Sequence, residues 1–136
     1  MVEVPLRVRF AETDQMGVVH HSAYVLYLEH ARVEWLRYHG ISYRTLEAEG
    51  VSLAVSRLTL EYRSAAYFDD ELIIATQLHT LKSRQVVFHY SIHRPADGIC
   101  LATGQSWHVP TSATGKSQRL PERYLKALAP YVSDSA

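Results

Sequence analysis

At 136 residues the chain fits one domain, 1–136, long enough to bury a core without disulfide or metal staples. Its 14 Lys plus Arg equal its 14 Asp plus Glu, which argues against a nucleic-acid partner held by bulk charge and leaves little charge repulsion against self-association. The one cysteine, Cys100, excludes an intrachain disulfide and reads as a buried, inert thiol. No run approaches the ~20 apolar residues of a membrane span, and the N-terminus lacks the apolar core of a signal peptide, so a cytoplasmic protein is expected.

Val2, Val4, Leu6, Val8 and Phe10 fall at every second position, which predicts a strand over 2–10 with one buried face. Residues 22–39 read as a helix, with Ser22 as N-cap and Gly40 just past its end. Its first half, AYVLYL, is apolar on nearly every side, which predicts a largely buried helix. A short helical turn fits 42–49. Strands follow over 51–64, 70–81, 85–94 and 99–110, separated by turn signals such as PADG at 95–98. A polar loop covers 111–118, and Pro121 can open a last short helix. Successive strands with short connections pair antiparallel, so one long helix against such a sheet is an α+β fold. Apolar positions on the opposite sheet face make an oligomer a reasonable expectation.

The stretch FAETDQMGVVHHSAYV joins the first strand to the helix. Asp14 there has an ordinary reading, because Asp bonds local backbone N–H groups in turns. It also has a chemical one. A carboxylate near a helix N-terminus, where unpaired N–H groups face outward, can act as nucleophile or general base on a carbonyl those groups polarise. Gly17 allows a tight turn and close ligand approach. The His21 backbone N–H is a candidate donor and its side chain a candidate proton relay, although His20 and His21 also fit a solvated loop.

Elsewhere the signals are weaker. Glu29 is mid-helix and either projects into a pocket or pairs with Arg32 on an exposed face. Lys82 and Arg84 flank Ser83 in a strand–strand turn, where two cations can bind phosphates or simply be solvated. Trp35 and Trp107 read as core or interface residues. The histidines show no metal-binding spacing, so no metal is expected. Phosphate-loop, dinucleotide and nucleophile-elbow glycine motifs are all missing.

RVRFAETDQMGVVHHSAYVLYLEHARVEWLR resembles the 4-hydroxybenzoyl-CoA thioesterase family of hot-dog-fold proteins, most of all the acyl-CoA thioesterases associated with the Tol-Pal system. The pattern D-x-x-G-V-V followed by Tyr matches Asp14, Gly17, Val18, Val19 and Tyr24. The resemblance continues through YRSAAYFDDELII and ATGQSWHVPTSATGKSQRLP and covers almost the whole chain. It implies a hot-dog fold, an antiparallel sheet wrapped around one long buried helix, in a homodimer or homotetramer with active sites at the dimer interface. It implies catalysis by Asp14 and His21, and substrate contacts at Gly17, Val19 and Tyr24. Coenzyme A, part of the substrate rather than a cofactor, would meet Lys82 and Arg84. One departure is Phe10, where the Tol-Pal-associated enzymes often carry a tyrosine, so a phenolic hydroxyl there is absent.

The expected activity is hydrolysis of an acyl-CoA to free acid and CoA. The alternatives are an aromatic acyl-CoA hydrolase acting on hydroxybenzoyl- or dihydroxynaphthoyl-CoA, and a non-catalytic module binding acyl-CoA or acyl-carrier protein. A hydratase or dehydratase is weaker, because its His-plus-Glu pattern is not seen.

Overall fold

The computed structural model describes residues 1–133; the last three residues of the expected 1–136 domain lie outside the described residues. Strand β1 (Val2–Arg7) leads through a 3-10 turn (Phe10–Glu12) to helix α1 (Ala23–Tyr38) and short helix α2 (Tyr43–Ala48). Strands β2 (Ser52–Tyr62), β3 (Glu71–Lys82), β4 (Gln85–Arg94) and β5 (Ile99–Thr111) follow, then helix α3 (Glu122–Leu128). The strands form one sheet in the order β1-β3-β4-β5-β2, with every neighbouring pair antiparallel. The longest helix, α1, lies on one face of that sheet, an α+β architecture.

The register explains the core. Thr76, Tyr90, Gly104 and Leu60 are cross-strand partners in one row, and Leu78, Phe88, Ser106 and Leu58 form the next. Against these rows α1 presents Tyr24, Tyr27, Leu28, Ala31 and Trp35, a helical stripe that is buried throughout. Gly104 sits in the sheet beneath α1, where no room is left for a side chain. A Cβ there would stand 2.8 Å from the Thr59 carbonyl oxygen and 3.3 Å from the Leu28 side chain. The helix ends as the glycine predicts. Gly40 has φ +82°, its N–H bonds the Arg37 carbonyl, and the Ile41 N–H reaches back to Leu36.

Five expectations need correction. The period-two pattern does not carry Phe10 into the sheet. The strand stops at Arg7, and the 3-10 turn, closed by the Arg9 backbone N–H on the Glu12 carboxylate, swings Phe10 outward to 76% exposure. Ser22 is not the N-cap acceptor, because its backbone is already helical and its side chain caps nothing. Val25 and Leu26 are exposed, so the AYVLYL half of α1 is buried along a stripe of Ala23, Tyr24, Tyr27 and Leu28 and not on nearly every side. The middle of the outer sheet face is mostly polar, with Gln77, His89, Gln105 and Thr59 in one row and Ser91 and Thr103 in the next. Cys100 is half-buried at the start of β5, not enclosed in the core.

Candidate active site

The segment between β1 and α1 is a small hairpin. The Asp14 N–H bonds the Val18 carbonyl at 2.8 Å, and the His20 N–H bonds the Glu12 carbonyl at 2.8 Å. Gly17, at φ +80°, makes the reversal. No atom lies within 4 Å of a Cβ built there, so backbone conformation rather than space demands the glycine. The hairpin docks on the loop before β3: the Val19 N–H bonds Ala66 at 2.8 Å, and Val18 bridges Tyr67. Arg94 braces that loop, donating to the Ala65 carbonyl at 3.1 Å and pairing with Asp70 at 2.9 Å.

Within this frame the Asp14 side chain is half tied down. Its Oδ1 accepts the Met16 N–H at 2.8 Å and, more weakly, the Val18 N–H at 3.4 Å. This is the turn chemistry expected of Asp. Oδ2 accepts no hydrogen bond among the described residues, so one oxygen positions the carboxylate and the other is left for a ligand.

The helix start is organised by His20. Its Nδ1 accepts the Ser22 N–H at 3.1 Å, and its carbonyl accepts the Ala23 N–H at 2.9 Å. Its ring stacks on that of His21 with centroids 4.2 Å apart. The His21 carbonyl is held by the Tyr62 hydroxyl at 2.9 Å. The backbone N–H groups of His21 and Tyr24 find no partner among the described residues, as expected of a helix N-terminus. The sequence-predicted Asp14, Gly17 and His21 therefore belong to one hairpin-to-helix unit.

Val19 and Tyr24 lie beneath that unit. Val19 is 6% exposed and Tyr24 is 3% exposed, the latter packed edge-on to Tyr27 and Tyr62. Burial holds the Tyr24 phenol above its ordinary pKa, offset in part by the Ala66 backbone. Lys82 and Arg84 are not brought to this unit within one chain. The hairpin follows the end of β1 that pairs with Glu71, whereas Lys82 ends the same strand β3. That is about 35 Å away at the rise of a β-strand. Arg84 there donates to the Ser117 hydroxyl at 3.3 Å.

Two groups escaped the sequence reading. Glu12 receives the Tyr27 hydroxyl at 2.8 Å, the Arg9 backbone N–H at 2.8 Å and the Arg9 guanidinium. Burial would raise the Glu12 pKa, but these donors together hold it below the usual carboxylate value. The R-x-x-E spacing at 9–12 was the available signal, since it places a donor three residues ahead of the carboxylate. The second is an exposed apolar collar of Phe10, Met16, Tyr62, Tyr67 and Phe68, with Phe10 edge-on to Phe68 at 5.6 Å. Among the described residues no helix is long and apolar enough to cross a membrane.

The profile of the Thioesterase-like superfamily matches residues 8–128. Among curated proteins, the acyl-CoA thioester hydrolase YbgC of Escherichia coli is 42% identical over 84 residues, 62% of this chain. The match spans 63% of that relative's own length. The crystal structure of a hypothetical protein from Thermus thermophilus superposes with a TM-score of 0.90 at 40% identity, covering 95% of this chain and 98% of that one. The DHNA-CoA thioesterase of Staphylococcus aureus superposes with a TM-score of 0.89 at 25% identity, covering 94% of this chain and 88% of that one.

Proposed function

We propose, from the premise that this chain belongs to the Thioesterase-like superfamily, that it hydrolyses the thioester bond of an acyl-CoA to the free acid and CoA. The observation that carries this reading is the pairing of a half-restrained carboxylate, Asp14, with the unpaired His21 N–H on one hairpin-to-helix unit. The similarity to an acyl-CoA thioester hydrolase of Escherichia coli supports it independently.

In this mechanism the thioester carbonyl oxygen accepts the His21 N–H, which stabilises the negative charge that grows there under attack. Asp14 attacks the carbonyl carbon, the C–S bond breaks, and CoA leaves as thiolate. Water then hydrolyses the mixed anhydride and restores the carboxylate. In the other route Asp14 takes a proton from water, which attacks directly. The His21 imidazole orients the acyl group or the water. Gly17 lets the thioester approach the loop, and Val19 and Tyr24 form the floor beneath it. Lys82 and Arg84 can hold CoA phosphates at such an ester only if a second copy supplies them, which makes a dimer or tetramer part of the proposal.

A second reading within the same chemistry is an aromatic acyl-CoA. It is favoured by the likeness to the DHNA-CoA thioesterase of Staphylococcus aureus and by the exposed aromatic collar around the hairpin. The test is free-thiol release from short aliphatic, long aliphatic and aromatic acyl-CoAs by the wild type and Asp14→Asn. The variant is expected to lose about 10²-fold or more of the turnover while still binding CoA. Wild-type turnover in the variant removes Asp14 from the mechanism. Binding without thiol release from any ester makes the chain a binding module.

A further inference from the structure

A cavity of about 390 Å³ opens between α1, α2 and the beginning of β2. Its wall includes Glu29, Arg32, Val33 and Leu36 from one face of α1, with Tyr43 from α2 and Leu53 from β2. The lining mixes apolar side chains with Glu29, Glu47 and the Arg32 guanidinium.

Arg32 is partly buried, and one nitrogen of its guanidinium lacks a partner. Its Nη1 is shut off from solvent and makes no hydrogen bond among the described residues. No carboxylate there forms an ion pair with it, including Glu29 three residues earlier. A shielded guanidinium nitrogen without a hydrogen-bond partner or counter-ion is costly, so this arrangement favours an anion arriving from outside.

The side chains behind Arg32 do not supply that anion. The Tyr90 hydroxyl lies 2.6 Å from Ser106 Oγ, Ser106 Oγ lies 2.7 Å from His108 Nε2, and His108 Nδ1 lies 3.3 Å from the Leu53 carbonyl. Burial, assisted by the Arg32 charge, pushes His108 down to about 4, so the imidazole is neutral at pH 7. Its one N–H must then be on Nδ1, because the Leu53 carbonyl can only accept. Nε2 accepts from Ser106, and Ser106 accepts from Tyr90. Tyr90 thus directs its only proton inward and turns an oxygen lone pair toward Arg32, whose charge partly offsets the burial that raises this phenol. The chain orients the guanidinium without neutralising it. The two acids on the cavity wall, Glu29 and Glu47, are solvent-exposed, where their charge is screened.

We infer that this cavity receives the acyl part of the substrate and that Arg32 binds a carboxylate at its far end, so that the preferred thioesters are CoA monoesters of medium-length dicarboxylic acids. This specificity rests on the thioester-hydrolase reading above. Arg32 stands about 16 Å along α1 from His21 at the helical rise, and its side chain leans back toward the helix N-terminus, leaving a span suited to an acyl chain of medium length. A methyl-terminated chain fills the same space but leaves Arg32 Nη1 without a partner.

The test compares suberyl-CoA with octanoyl-CoA, which have equal chain lengths and differ at the terminal group. Wild type is expected to favour suberyl-CoA in kcat/KM by about tenfold or more, the worth of one charge-assisted pair. Arg32→Met should bring that ratio to about one, with Arg32→Lys in between. A wild-type ratio near one, or a ratio unchanged in Arg32→Met, overturns the inference. Arg32→Gln serves if the methionine variant does not fold. Calorimetry with the two matching non-hydrolysable thioethers separates the readings. If neither ester is turned over, the wider acyl-CoA panel above decides the hydrolase reading on its own; tighter binding of the carboxylated thioether that vanishes in Arg32→Met still supports the pocket, and equal binding by wild type refutes it.

Discussion

Glu12→Ala tests whether the hairpin is held from below. The Glu12 side chain is 10% exposed and takes hydrogen bonds from Tyr27, itself buried, and from the exposed Arg9. The Arg9 ion pair is largely in water and is worth at most about 1 kcal/mol. The Tyr27 bond is desolvated and charge-assisted, and its loss strands a buried hydroxyl, so the substitution should cost about 2–3 kcal/mol in all. For 136 residues the unfolding entropy is about 0.3 kcal/mol/K, which converts that loss to a fall in Tm of about 7–10 °C. Tyr27→Phe alone should cost about 1 kcal/mol, and almost nothing when Glu12 is already alanine. Urea denaturation of wild type, both single variants and the double variant reads the coupling directly. The pH dependence has a definite sign. Because the folded Glu12 pKa lies below its ordinary 4.5, its contribution is complete above that value and disappears as pH falls through the folded pKa. Additive effects of the two substitutions, or a Tm change under about 2 °C in Glu12→Ala, would refute the clamp.

Gly104→Ala should destabilise by about 1–3 kcal/mol, because its Cβ would stand 2.8 Å from the Thr59 carbonyl oxygen on the neighbouring strand β2 and 3.3 Å from Leu28 of the helix; a Tm equal to wild type would show that these neighbours can yield without cost. Gly17→Ala should cost about 1–2 kcal/mol from the left-handed backbone alone and should reduce thioester turnover more than a surface change of equal stability cost; equal effects on both readouts would separate the hairpin from the chemistry. His108 is held neutral with a folded pKa of about 4 against an ordinary 6.5, so the unfolded chain takes up the proton first. Stability should therefore fall by about 3 kcal/mol as pH drops from 6.5 to 4 and no further on this group's account; urea titrations across that range should show this component missing in His108→Gln.

The sequence announces the parts of this protein governed by short-range periodicity. The four strands after Gly50, the antiparallel pairing imposed by short turns, and the Gly40 stop all appear as read, and the architecture is that of the hot-dog fold. Asp14, Gly17 and His21 were legible as a unit because they are near neighbours in the chain and the structure keeps them on one hairpin. Phe10 was misread because alternation continues in the letters after the backbone has left the sheet, and no periodic pattern registers the Arg9–Glu12 closure. Ser22 was misread because His20 Nδ1 accepts the N–H that a cap would take, a role that composition does not assign to histidine. The least legible feature is the polar chain behind Arg32. Tyr90, Ser106 and His108 come from two strands and meet the helix only through register, while the sequence suggested a local pairing of Arg32 with Glu29. Local reading finds the group that can attack a carbonyl, because attack needs a carboxylate and a helix start close together in the chain. It does not find Arg32, the group we propose to select the acyl chain, because its surroundings are assembled from residues as far as seventy-six positions away.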